Sequence, residues 1–96
     1  MQLTPAQRQY LKGLAHARQP VVIIGDKGLS PAVIKEIERA LAAHELIKVK
    51  AAGADTVQRE VWLQSLCETL GAAPVQHIGK ILVLYRPAEN PAIHLP

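Results

Sequence analysis

The stretch that decides the fold runs from Pro20 to Leu41, PVVIIGDKGLSPAVIKEIERAL. Val21 to Ile24 is short, wholly apolar and β-branched, which predicts a strand buried on both faces. Gly25 and Gly28 follow, three apart, with Asp26 and Lys27 between them. Ser30-Pro31 then reads as a helix start. The serine hydroxyl can cap, and proline at the first helical position sacrifices no hydrogen bond. Val33, Ile34, Ile37 and Leu41 recur at helical spacing beyond it. The pattern is strand, tight turn, helix.

Upstream, Leu3-Thr4-Pro5 opens an earlier helix in the same way. Tyr10, Leu11 and Leu14 mark its core face, and the helix should end between His16 and Arg18, ahead of Pro20. Gly13 weakens its middle by about 1 kcal/mol relative to alanine, which predicts close approach of another element. Downstream, Leu46 to Ala51 is a second strand. Ile47 and Val49 alternate with Lys48 and Lys50, so one face packs and the other is wet and positive; Leu46 shares the lysine face.

Asp55 or Thr56 caps a third helix, with Val57, Val61, Leu63, Leu66, Cys67 and Leu70 as its apolar stripe and Trp62 at the edge. Gly71 ends it. Val75 to Ile78 and Ile81 to Tyr85 flank Gly79-Lys80, a hairpin. The order is α-β-α-β-α-β-β, an α/β fold with a small mixed sheet and helices covering it. Residues 1–87 read as one domain and 88–96 as an irregular tail.

Composition narrows the function classes. The 96 residues suit one domain, and with 49% hydrophobic residues and no Phe its core must be aliphatic. Eleven Lys and Arg against eight acids give a net charge of +3, which favours anionic partners. A single cysteine, Cys67, excludes an internal disulfide and a zinc-binding cysteine cluster. No secretory apolar segment follows Met1 and no run is long enough to span a bilayer, so the expected compartment is the cytoplasm.

Two features carry candidate function. Gly25 and Gly28 free the backbone just before a helix N-terminus, where amide N–H groups attract phosphate and Lys27 adds charge. Asp26 repels phosphate unless it points away or meets a sugar hydroxyl. The same spacing also serves a plain strand-to-helix turn; GxGxxG lacks its third glycine here, and no Gly-Lys-Ser/Thr follows. Lys48 and Lys50 offer paired charge to a nucleic-acid backbone, or simply solvate an exposed sheet face. Lys12, Lys80 and Arg86 matter only if folding gathers them.

Three aromatic residues, Tyr10, Trp62 and Tyr85, are too few for a base-stacking strand, and Tyr10 reads as core. His16, His44, His77 and His94 have no metal spacing, and neither cofactor nor catalytic set is indicated. His44-Glu45 reads as a capped or solvated helix end, Cys67 as inert core.

The segments LTPAQRQYLKGLAH at 3–16, PVVIIGDKGLSPAVIKEIERAL at 20–41, HELIKVK at 44–50 and GKILVLYRP at 79–87 closely resemble bacterial YhbY-type proteins. These are stand-alone members of the CRM (chloroplast RNA splicing and ribosome maturation) family. The resemblance implies three helices and a four-stranded mixed sheet, with a topology like the C-terminal domain of translation initiation factor three. It implies RNA binding without catalysis, in bacteria on precursors of the large ribosomal subunit. The family's RNA-contacting loop, similar to the GxxG of KH domains, falls on Gly25, Asp26, Lys27 and Gly28. Its basic surface falls on Lys48 and Lys50, with Lys12, Lys80 and Arg86. Asp26, and Gln19 where relatives often carry lysine, depart from the pattern. The competing expectation is a protein-interaction module that recruits a ribosomal or RNA-processing factor through the third helix around Trp62.

Overall fold

A computed structural model describes residues 1–96. Its elements are α1 (Pro5–His16), β1 (Pro20–Ile24), α2 (Pro31–His44), β2 (Leu46–Ala51), α3 (Thr56–Leu70), β3 (Ala73–Ile78) and β4 (Ile81–Tyr85). Local chemistry sets the helix starts. Thr4 and Gln7 form a reciprocal capping box, Ser30 accepts from the Val33 amide, and Asp55 accepts from the Gln58 amide. Gly71, left-handed at φ 65°, closes α3, and Gly79 at φ 54° turns the β3–β4 hairpin.

The four strands lie in the order β1-β2-β4-β3, with β1 and β2 parallel and the other pairs antiparallel. Alternation along the strands sorts side chains into two layers. Val22, Ile24, Ile47, Val49, Leu82 and Leu84 pack under α2 and α3 with Ile37, Leu41, Leu63 and Leu66. Leu46, Val75, Val83 and Tyr85 face the other way, under Leu11 and Ala15 of α1. Each fully buried aliphatic side chain contributes about 1.5–3 kcal/mol.

Helix α1 covers only part of its side of the sheet, and this overturns several expectations. It packs against β2 and β3, so β1 at the edge has only one covered face. Val21 and Ile23, expected to be buried, are 47% and 62% exposed. Helix α1 seats itself through Leu11 and Ala15, four apart on one face, which turns Tyr10 outward. No element approaches Gly13: a Cβ there would meet nothing within 4 Å.

Helix α3 keeps the Leu63, Leu66, Cys67 and Leu70 part of its expected stripe on the core but departs from it in the first two turns. It buries Arg59, Leu63, Leu66 and Cys67, leaving Val57 and Val61 on the outer side. The buried Arg59 guanidinium donates to the Ala54 carbonyl and to Thr56 Oγ1, bracing the loop ahead of α3. Glu45 is not a solvated helix end. It stops α2 at φ 64°, and its buried carboxylate accepts the amides of Ala88, Ala92 and Ile93 at 2.8, 2.9 and 3.1 Å. Residues 88–96 have no helix or strand, yet Ile93 and Leu95 pack against the α1-side core.

Candidate functional site

The glycine turn stands at the C-terminal end of β1. The Gly28 amide donates to the Gly25 carbonyl at 3.0 Å, closing a four-residue turn. Gly25, Asp26 and Lys27 are exposed, and the amides of Asp26 and Lys27 have no partner within the chain. The two glycines do different work. Gly28 adopts φ 66°, and a Cβ on it would sit 3.2 Å from Trp62 Cζ2. Trp62, half-buried on the helical-layer core, is therefore the floor beneath the turn. Gly25 has ordinary φ and open space around it.

The helix N-terminus offers less than its sequence suggests. Pro31 has no amide hydrogen, Val33 donates to Ser30 Oγ at 3.2 Å, and Ile34 donates to the Ser30 carbonyl. Ala32 alone keeps an unclaimed first-turn amide. The free donors are thus chiefly those of the turn itself. Asp26 leans toward the next loop, its Oδ1 3.6 Å from where a Gly53 Cβ would stand. Asp26 and Asp55 line the cleft of about 400 Å³ between the two loops, and no cation lines it. That cleft repels anions.

Cations collect on the other side. Lys48 and Lys50 share the sheet face that α1 only half covers, and strand register sets Lys50 beside Ile23 and Ile81. The Ala51 amide donates to the Lys80 carbonyl at 2.7 Å, which fixes Lys80 at the same end of the sheet as the glycine turn. Lys12 and Lys48 line a groove of about 490 Å³ between α1 and the sheet. Helix α1 and all four strands lack Asp and Glu entirely. No carboxylate therefore offsets these lysines from within their own elements.

Arg86 does not join them. It lies beyond the far end of β4, about 20 Å of extended chain from Lys80. Its guanidinium bonds Glu38 at 2.6 Å and the Leu70 carbonyl at 3.0 Å, tying the middle of α2 to the C-terminal end of α3. Arg18 is likewise committed, donating to the Leu46 carbonyl at 2.6 Å. Sequence reading missed the Gly13 and His16 wall of the groove and the buried roles of Glu45 and Arg59. The acid-free composition of α1 and the strands was the available signal for the first of these.

The titratable groups with displaced pKa values are Glu45, Cys67 and Tyr85. The Ala88 amide, followed by those of Ala92 and Ile93 and by the charge of His94, holds the Glu45 carboxyl below its usual range against the opposing effect of burial. Burial, then the Glu60 charge, pushes the Cys67 thiol up to about 11. No group of three or more His, Cys, Asp or Glu is placed to hold a metal, and no helix is long and apolar enough to cross a membrane.

Comparison with known proteins gives this geometry a context. A model described as the CRS1 / YhbY (CRM) domain matches residues 3–86. A Haemophilus influenzae protein named as an RNA-binding protein is 52% identical over 94 residues, 98% of this chain and 95% of that one. A Pseudomonas aeruginosa protein named as a probable RNA-binding protein is 42% identical over 91 residues, 95% and 88% of the two chains. The solution structure of a Staphylococcus aureus protein has the same fold, with TM-score 0.86 and 36% identity, over 99% of this chain and 100% of that one.

Proposed function

The chain belongs to the CRS1/YhbY (CRM) domain family, and from that premise we propose that it is a non-catalytic RNA-binding protein of the cytoplasm. Its ligand in this reading is ribosomal RNA, met in a precursor of the large subunit during assembly. One observation carries the reading. An exposed glycine turn with unclaimed amides opens beside an acid-free sheet face bearing Lys48 and Lys50. Amides and lysines recognise phosphate, and the scarcity of aromatic side chains leaves little base stacking. RNA affinity then depends on backbone contacts and falls steeply with salt. Lys12, Lys27, Lys48, Lys50 and Lys80 form the surface. Residues 1–87 are the binding unit, and 88–96 fasten it through Glu45.

The test is a titration of a labelled, structured fragment of large-subunit ribosomal RNA at fixed salt. Wild type is compared with a variant carrying Lys27→Ala, Lys48→Ala and Lys50→Ala. The triple variant should bind far more weakly; equal binding removes the surface. A second reading, docking of a ribosomal or processing protein, draws on Val57 and Val61, 74% and 55% exposed on the outer side of α3. Trp62 supports it less, because the ring packs under Gly28. Val57→Asp that releases a copurifying ribosomal protein with RNA affinity intact would favour that alternative.

A further inference from the structure

We propose that the groove between α1 and the sheet seats one strand of ribose–phosphate backbone, and that Gly13 is where this backbone meets the helix. The inference rests on the RNA-binding reading and adds a contact to it. A glycine inside a helix is destabilising, and it is ordinarily explained by a neighbour that needs the space or by a left-handed backbone. Gly13 has neither: no positive φ, and no atom within 4 Å of a Cβ placed there. Nothing in this chain uses the missing side chain. It is exposed toward the groove, which is open to an external ligand.

The groove has the chemistry of a backbone seat. Lys12 and His16 flank Gly13 on the helical wall, and Lys48 faces them from β2. Ile78 and Ile81 line the floor, and Ile78 is 56% exposed. Cations on opposite walls suit the charged edge of a phosphodiester, and the apolar floor suits the ribose. Neither wall carries a carboxylate. The seat is continuous with the turn. Lys50 stands about 7 Å along β2 from Lys48, toward the end where Lys80 and the glycine turn lie. A side chain at position 13 would stand between the helix and the strand of RNA.

The discriminating variants are Gly13→Ala and Gly13→Leu, both better helix formers than glycine. Thermal unfolding and affinity for the labelled large-subunit ribosomal RNA fragment are measured together, at fixed salt. Gly13→Ala should melt higher, by about 4 °C or more, yet bind RNA more weakly. Gly13→Leu should lose affinity by about tenfold or more, the size of one lost charged contact. Raised melting temperature with unchanged RNA affinity overturns the proposal. So does a lowered melting temperature for Gly13→Ala, which would mean an internal role for the glycine. If Lys27→Ala and Lys50→Ala weaken binding while both Gly13 variants do not, the groove seat is wrong and the RNA-binding reading stands. If the wild type shows no salt-dependent RNA binding, both fall.

Discussion

Replacing each glycine of the turn by alanine separates a structural glycine from a binding one. Gly28 is at φ 66°, a conformation that costs an L-residue about 1–2 kcal/mol. Its new Cβ would also stand 3.2 Å from Trp62 Cζ2, so the indole must shift by a few tenths of an ångström. Strain alone should lower the melting temperature of Gly28→Ala by about 5–15 °C for a domain of this size. Gly28→Asn, which tolerates the left-handed region better, should lose less. Gly25→Ala meets no atom and needs no unusual backbone angle. Its stability should stay within about 0.5 kcal/mol of wild type, or rise slightly. Its RNA affinity should nevertheless fall, because the new methyl group would stand next to the unclaimed Asp26 amide, the donor offered to a phosphate. Thermal melts followed by circular dichroism and by the fluorescence of Trp62, the only tryptophan, give the first comparison. RNA titration gives the second. The reasoning fails if Gly28→Ala melts like wild type, or if Gly25→Ala is equally destabilised. The turn loses its proposed role if Gly25→Ala leaves RNA binding untouched.

Glu45→Gln should destabilise the fold by about 1.5–3 kcal/mol, since a charged acceptor of three amides is replaced by a neutral one. Because the folded carboxyl titrates below its unfolded value, its stabilisation is present above the unfolded pKa of about 4.3 and lost as pH falls through the folded value. Denaturant melts across acid pH should show a shallower decline in the variant. Arg86→Ala should lower stability through the lost Glu38 and Leu70 contacts and leave the salt dependence of RNA binding unchanged. Lys48→Ala and Lys50→Ala should do the reverse, each reducing the slope of log K against log salt by about 0.7–0.9. Cys67, with its thiol pushed up to about 11, should resist maleimide at neutral pH until the protein unfolds.

What the sequence disclosed was mainly local. Thr4-Pro5 and Ser30-Pro31 are caps whose partners lie three residues on, and Gly79-Lys80 turns a hairpin between adjacent strands. These features interact with near neighbours, so a linear reading finds them. Coverage is different. Whether Val21 and Ile23 are buried depends on where α1 comes to rest across the sheet, and β1 lies beyond it. The outward placement of Val57 and Val61 likewise follows from which row of α3 meets β3 and β4, and Arg59 takes an inward place to brace the preceding loop. Glu45 finds its amides more than forty residues downstream, and Arg86 finds Glu38 across two layers.

The candidate site divides in the same way. The glycine turn was legible because its requirement is a backbone angle and a helix start. The alternation of Lys48 and Lys50 was legible because strands have a period of two. The loss of Arg86 from the basic set was not, since a distant carboxylate decides it. Nor was the groove at Gly13, whose meaning depends on an emptiness that only the folded chain reveals.

The most direct measurement is an amide-resolved NMR titration with the large-subunit ribosomal RNA fragment. Residues 9–16, 25–28, 48–50 and 78–81 should shift or broaden together as RNA is added, while the outer faces of α2 and α3 stay still. Perturbation centred on Val57 and Val61, with the glycine turn and Lys48 and Lys50 unmoved, would contradict the proposed interface.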